Sequence, residues 1–267
     1  MNYSYDDVIL LYKINNNIIT DETKKKKKKK KKIDDIKKTL FIENNIKKTI
    51  INKPKDNYAI TCKLLNKITE KNYDRLKIEL FELIVKLDNS DIDNITNLIF
   101  NIASSNKFYS NLFSKLYKEL IDKNRSFYYV FEDNFLLYTN KLKNIEYVDS
   151  NIDYDKYCEY VKKISELKSG LLFFTNLIKY NICRIDNIIN LCIDLIEIYN
   201  KEIEKNNEEY KTEILESIFI IIKETYEYLI FNHNWEYIYK FIINIKDNSS
   251  KKIHFRCLDI LDFINSN

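Results

Sequence analysis

The stretch LKIELFELIVKL, residues 76–87, spaces its apolar side chains at intervals of three and four, as at Leu76, Leu80, Leu83, Ile84 and Leu87. An α-helix turns once in about 3.6 residues, so this spacing returns each side chain to the same helical face. Charged residues lie at several positions between them. The stretch therefore predicts an amphipathic helix that packs one face into a hydrophobic core.

The same pattern continues from about Tyr58 to the C-terminus, interrupted by clusters of Asn, Asp and Ser. Pairs of predicted helices recur about five times, with roughly 35–45 residues each, which is typical of HEAT-type helical hairpins. The predicted helical segments are 58–68, 71–87, 91–104, 106–122, 127–143, 153–180 (predicted as two helices), 184–203, 207–231, 233–246 and 250–264. We therefore expect an all-α, HEAT-repeat-like α-solenoid of about five helical hairpins over residues 56–267.

The composition agrees with a helical class. The 267 residues include one Gly and one Pro, whereas β-hairpin turns depend on residues that tolerate positive φ or have a fixed φ. A phosphate-cradling loop also needs glycines where the backbone approaches the ligand. We therefore expect neither β-sheets nor the common glycine-rich nucleotide-binding loops.

Residues 1–55 differ from the remainder of the chain, with short apolar patches separated by Asn and Lys runs. The formal net charge is +4, but nine positive charges come from one tract and the remainder carries −5. We expect this segment to be a disordered tail, because it cannot bury enough apolar surface to offset chain entropy. The tract consists of Lys24, Lys25, Lys26, Lys27, Lys28, Lys29, Lys30, Lys31 and Lys32.

Residues suited to catalysis do not form a recognisable motif. The two histidines, His233 and His254, do not complete a ligand set, and the carboxylates alternate with lysines as on solvated helix faces. No Cys-x-x-Cys pair is present, and we interpret all the cysteines as buried small apolar residues: Cys62, Cys158, Cys183, Cys192 and Cys257. We expect a non-enzyme without cofactor or metal.

The N-terminus lacks the basic residues with which a signal peptide begins. No apolar run approaches the roughly 18 residues of a membrane span. These features predict a reducing, cytoplasmic location without membrane attachment.

Aromatic residues at helical spacing are expected in the core, as at Phe127, Tyr128, Phe131 and Phe135. Trp235 is either a packed corner or an exposed anchor.

Asp91, Asn234 and Ser250 are predicted helix N-caps.

Four segments carry a family resemblance in the correct order. LLNKIT (64–69), DNITNLIFNIASSNKFYSNLFSKLYKEL (93–120), SGLLFFTNLIKYNICR (169–184) and SSKKIHFRCLDILDF (249–263) resemble motifs of the middle domain of translation initiation factor 4 gamma. The resemblance covers the chain from about residue 58 onward. It implies a monomeric HEAT-type scaffold that binds the DEAD-box RNA helicase initiation factor 4A.

By this resemblance, two groups of residues would contact the helicase. The first is the corner Leu65, Asn66 and Lys67, and the second is Phe255, Arg256 and Asp259 in the last hairpin. Leu65, Phe255 and Leu261 are equally suited to a HEAT core, so both interpretations are open for them.

The N-terminal stretch YDDVILL fits the Tyr-x-x-x-x-Leu-φ motif by which factors of this family bind the cap-binding initiation factor 4E, with Tyr5, Leu10 and Leu11 as contacts. Acidic residues suit the first turn of a short helix, and the leucines would form an apolar ridge for a groove. The lysine tract has three interpretations: sequence-independent mRNA binding, a nuclear localisation signal, or coding-sequence slippage tolerated in a linker.

The resulting hypothesis is a translation initiation scaffold that links cap-binding protein, helicase and mRNA and stimulates the helicase. The alternatives are a regulator that shares the domain and sequesters one of these partners, and a HEAT adaptor with unrelated partners.

Overall fold

The structure is a computed structural model that describes residues 55–202 and 207–267. These residues contain helices and connecting turns but no strand. A 3₁₀ turn, Glu70–Asn72, lies between the first two helices. The α-helices are α1 Lys55–Leu65, α2 Tyr73–Val85, α3 Asn89–Ser105, α4 Ser110–Lys123, α5 Ser126–Lys143, α6 Tyr154–Ile178, α7 Ile185–Lys201, α8 Glu208–Leu229, α9 Trp235–Asp247 and α10 Lys251–Ser266.

Contacts between helices follow a regular order from α3 onward. Each consecutive pair packs together: α3 with α4, α5 with α6, α7 with α8 and α9 with α10. Helices two apart in the sequence also contact each other, which links α3, α5, α7 and α9 into one row and α4, α6, α8 and α10 into another. Helices α3–α10 thus form two connected rows with apolar side chains between them.

The first two helices join this arrangement through polar contacts and through side chains buried in the same apolar core. The Asn57 side chain donates to Asp91 Oδ2 of α3 at 3.4 Å. Lys77 of α2 forms an ion pair with Glu119 of α4 at 2.8 Å, and the Tyr73 hydroxyl donates to the same carboxylate at 3.0 Å. The side chains of α2 that point inward, Leu76 and Leu80, are buried.

The turn after α6 shows how a helix ends in a chain with a single glycine. Asn181 has φ of 56°, in the left-handed region, and it is the one non-glycine residue with positive φ in the described ranges. The N–H of Ile182 donates to the Leu177 carbonyl at 3.2 Å, and the N–H of Asn181 donates to the Ile178 carbonyl at 2.9 Å. Asn is the residue that most often replaces Gly at such a helix end.

The structure confirms the all-helical class and the predicted core aromatics. Phe127 and Phe131 are buried, and Tyr128 and Phe135 pack against them in partly buried positions. Trp235 is half-buried, with its ring 5.8 Å from that of Tyr226.

Two predictions about helix limits are wrong. The segment 153–180 forms one helix of 25 residues rather than two. Asp91 is not an N-cap, because α3 already begins at Asn89, and the Asp91 N–H donates to the Asp88 side chain at 2.9 Å. Asn234 and Ser250 do precede α9 and α10, but neither side chain forms a capping hydrogen bond.

The cysteine prediction is correct in part. Cys183, Cys192 and Cys257 are buried, and burial raises the pKa of each thiol to about 12. Cys62 is half-buried and Cys158 is exposed. Cys158 lies on the side of α6 that faces solvent, whereas Tyr160 and Ile164 lie on the side that faces the core.

The only glycine of the chain lies inside α6, against an aromatic ring of α5. A Cβ atom at Gly170 would approach Tyr138 Cε2 to 2.9 Å and Cδ2 to 3.3 Å. The ring has little freedom to move, since the Tyr138 hydroxyl donates to the Leu167 carbonyl at 2.8 Å and its centroid lies 4.7 Å from that of Phe174. The missing side chain therefore permits the close approach of α5 and α6.

We expect Gly170→Ala to lower the free energy of unfolding by about 1–3 kcal/mol, because the added methyl group overpacks this contact. Chemical denaturation measures the change. The same substitution in a Tyr138→Leu background serves as control and should cost less. A gain of about 1 kcal/mol, as alanine gives in an unconstrained helix, would contradict the packing argument.

Candidate functional site

The N-terminal residues of the predicted site lie outside the described residues. This applies to the cap-binding-protein motif with Tyr5, Leu10 and Leu11 and to the lysine tract 24–32. The remaining predicted contacts lie at the end of α1 and on α10.

The three residues predicted as contacts at the corner after α1 differ in their exposure to solvent. Leu65 is a core residue with 1% exposure, whereas Asn66 and Lys67 are exposed. The Asn72 side chain donates to the Lys67 carbonyl at 2.8 Å and accepts from the Thr69 N–H at 2.7 Å, which holds the turn in place. A partner would therefore reach this corner through Asn66 and Lys67 rather than through Leu65.

The second predicted group lies on α10. This helix buries one side against α8 and α9 through Ile253, Cys257, Ile260, Leu261 and Ile264. Phe255 is on the opposite side with 62% of its surface exposed, and Asp259 is exposed near it. The structure thus places Leu261 in the core and the Phe255 ring at the surface.

Arg256 lies beside this surface and joins a network of ion pairs across three helices. Its guanidinium donates to Glu216 of α8 and, at 3.3 Å, to Asp259 of α10. Lys168 of α6 donates to Glu213 and Glu216 of α8. We call these five residues the charged network.

Glu216 is the central acid of the charged network. Partial burial raises the pKa of its carboxyl, but hydrogen bonds and charge from Lys168 and charge and hydrogen bonds from Arg256 outweigh burial and hold the pKa below its usual range. The ionised carboxylate therefore connects α6 to α10 at neutral pH. Neither Lys168, Glu213 nor Glu216 was a predicted site residue, because their partners are 40 or more positions away in the sequence.

A cluster of tyrosines surrounds another acid between α6 and α8. Glu209 accepts from the hydroxyls of Tyr157 at 2.6 Å and Tyr147 at 3.2 Å. The hydrogen bond to Glu209, together with desolvation, raises the pKa of Tyr157 to about 12. The nearby Tyr160 hydroxyl is buried without a hydrogen-bond partner. Tyr147 and Tyr157 remain protonated donors to Glu209 at neutral pH, which suits a structural contact.

A concave region of about 1000 Å³ lies between α3, α5, the connection 144–153 and α6. Its lining includes the apolar side chains of Phe100, Leu137, Tyr138 and Phe174 together with three lysines and three glutamates. The charges of the lining balance each other: Lys141, Lys156, Lys163, Glu146, Glu159 and Glu166. Its lining therefore selects neither an acidic nor a basic ligand.

Within residues 55–202 and 207–267, no group of three or more His, Cys, Asp or Glu side chains has the arrangement to hold a metal ion. In the same ranges, no helix is both long and apolar enough to span a bilayer. The surfaces at the α1 corner and on α10 belong to the first and last described helices, and no described hydrogen bond or ion pair joins them.

In the described residues, fold and surface together define an all-helical protein in which the predicted contacts Asn66, Lys67, Phe255 and Asp259 are exposed side chains. The chain matches no known protein-family model, and no curated protein sequence matches it.

We expect Glu216→Gln to lower the free energy of unfolding by about 1 kcal/mol at pH 7, since it removes the charged partner of Lys168 and Arg256 at a partly solvated position. The folded-state pKa lies below the unfolded value of 4.5, so this contribution is present above pH 4.5 and is lost as the pH falls through the folded pKa. Denaturation curves of wild type and variant should therefore converge in acid.

Glu227→Gln is the matched control, because Glu227 is an exposed acid of the same helix with no ion pair in the described structure. A pH-independent difference between wild type and Glu216→Gln would refute the proposed role of the carboxylate charge.

Proposed function

We propose that this protein is a translation initiation scaffold of the initiation factor 4 gamma type, built on a HEAT-type array of helical hairpins. The array binds the DEAD-box RNA helicase initiation factor 4A and favours its active arrangement. The N-terminal motif binds the cap-binding initiation factor 4E, and the lysine tract binds mRNA without sequence preference.

The observation that carries this proposal is the exposure of Phe255. In the segment IHFRCLDILDF, Ile253 and Leu261 are buried, whereas Phe255 and Asp259 face solvent. An aromatic side chain at the centre of a polar surface is typical of binding hot spots. The residue that the motif comparison associates with the helicase is thus available to a partner.

The order of helix contacts supports the array. Two rows of alternating helices arise when each hairpin stacks on the previous one, so that every hairpin covers the apolar face of its neighbour. Such an array offers a long surface to a partner with two lobes. The corner at Asn66 and Lys67 and the face at Phe255 would provide separate contact points along it.

The two partner contacts differ in nature. The helicase would bind a preformed surface, while the motif with Tyr5, Leu10 and Leu11 would bind as a short helix that orders in the groove of the cap-binding factor. Joining both sites in one chain raises the effective concentration of one partner near the other. Stimulation of the helicase is then indirect, by a shift of its conformational equilibrium.

The full chain should bind purified initiation factor 4A, and Phe255→Ala should weaken binding about tenfold or more, because the substitution removes the aromatic anchor. Phe231→Ala is the matched control: Phe231 is also a highly exposed phenylalanine, but it lies in the turn between α8 and α9. Isothermal titration calorimetry measures both affinities, and helicase ATPase rates report stimulation.

Tyr5→Ala/Leu10→Ala should abolish binding of initiation factor 4E and leave helicase binding unchanged. If the wild-type chain binds neither factor, the proposal is refuted. A chain that binds the helicase but lowers its ATPase rate is a sequestering regulator instead.

A further inference from the structure

The solvent face of α10 has an unusual charge order. The exposed residues Lys251, Lys252, Phe255, Asp259 and Asp262 lie within about 100° of one another around the helix, opposite its buried side. We call this set the α10 stripe. Basic residues are at the N-terminal end, an aromatic ring follows, and acids are toward the C-terminal end.

This order opposes the helix dipole. A helix N-terminus carries partial positive charge, so Lys251 and Lys252 in the first turn are unfavourable there, and Asp259 and Asp262 lie beyond the reach of the favourable N-terminal charge. The first turn of α10 contains no acid and its last turn no base. Within the described ranges, Lys251 and Lys252 form no ion pair, and Asp259 contacts Arg256 at 3.3 Å. Apart from the Arg256–Asp259 pair, the contacts of the described residues do not explain why these charges are placed in this order.

The stripe is, however, complementary to itself. When two copies of a helix pack antiparallel about a two-fold axis, each residue meets the one equally far from the axis on the partner helix. The midpoint between Lys252 and Asp259 and the midpoint between Lys251 and Asp262 both fall between residues 255 and 257. One axis therefore brings both lysines of each copy opposite the acids of the other.

The exposed ring lies at the same place. Phe255 is next to that axis, so the two Phe255 rings of a symmetric pair would cover each other and remove their apolar surface from water. Charge complementarity and the position of the aromatic residue thus select the same register. A second copy of this chain would therefore pair the charges of the α10 stripe and cover its exposed ring.

We propose that the protein forms a symmetric homodimer through antiparallel packing of two α10 stripes. The contact is one helix pair of about four turns, smaller than the roughly 1,600 Å² of a standard stable interface. The dimer is therefore weak and concentration-dependent, and added salt weakens it because its ion pairs lie at the solvent-exposed rim.

The dimer would cover the surface that carries the helicase contacts Phe255 and Asp259. Self-association and helicase binding would then exclude each other, which would regulate the scaffold by concentration. This consequence rests on the proposed function, whereas the homodimer itself does not.

Sedimentation equilibrium of the full chain tests the homodimer through charge reversal. The wild type should dimerise at high concentration in about 50 mM salt and dissociate in about 500 mM salt. Lys251→Glu/Lys252→Glu and Asp259→Lys/Asp262→Lys should each be monomeric, because like charges then face each other. A one-to-one mixture of the two variants should restore the dimer, since each supplies the charges that the other lacks.

Lys162→Glu/Lys163→Glu is the matched control. It makes the same change in net charge on exposed positions of α6 and should leave self-association unchanged. Circular dichroism confirms that each variant is folded, and Asp262→Lys alone replaces the acidic double variant if the latter unfolds. A wild type that stays monomeric at all concentrations, variants that dimerise like wild type, or a mixture that stays monomeric would each overturn the proposal.

Discussion

Two adjacent rings on α6, those of Phe173 and Phe174, pack against three helices that precede α6 in the sequence, namely α3, α4 and α5. Phe173 lies 5.9 Å from Phe100 of α3 and 5.6 Å from Tyr117 of α4, measured between ring centroids. Phe174 lies 4.9 Å from Phe135 of α5. Neighbouring residues on a helix point about 100° apart, so one turn of α6 packs at once against the α3–α4 pair and against α5. The rest of the two-row arrangement depends on this junction, and Gly170 allows α5 to approach it.

Polar contacts align the later helices rather than supply most of their stability. The apolar core is continuous from Leu64 to Ile264, and burial of apolar surface is the dominant favourable contribution to folding. The charged network is partly solvated, where ion pairs contribute little free energy. Its geometry nevertheless specifies how α6, α8 and α10 lie beside one another, because Glu216 contacts a residue on each neighbouring helix.

The α10 helix combines these two kinds of contact on opposite sides. Its buried side completes the core, and Arg256 at its flank attaches it to α8. Its solvent face is then free to carry residues that do not stabilise the monomer, such as a mostly exposed phenylalanine and charges set against the helix dipole. Such local costs are expected at surfaces kept for binding. Helicase binding and self-association would therefore be alternative uses of one face.

The sequence by itself determined the helical class, most helix positions and the inward faces, because the spacing of apolar residues is a property of each helix alone. It also drew attention to Phe255 and to the corner at Asn66 and Lys67 through short motifs. The sequence did not decide that Leu65 is buried while Phe255 is exposed, since both are apolar residues on amphipathic helices. That difference depends on whether another helix packs against the position.

Only the tertiary structure decided the contacts between distant positions. Lys168 and Glu213 are 45 residues apart, and Glu216 and Arg256 are 40 apart, so their pairing depends on which helices stack side by side. Tertiary packing also explains the glycine inside α6: a glycine in a helix is locally unfavourable by about 1 kcal/mol, but the Tyr138 ring leaves no room for a side chain at that position. Local spacing specifies the helices, and the packing between them specifies the surfaces.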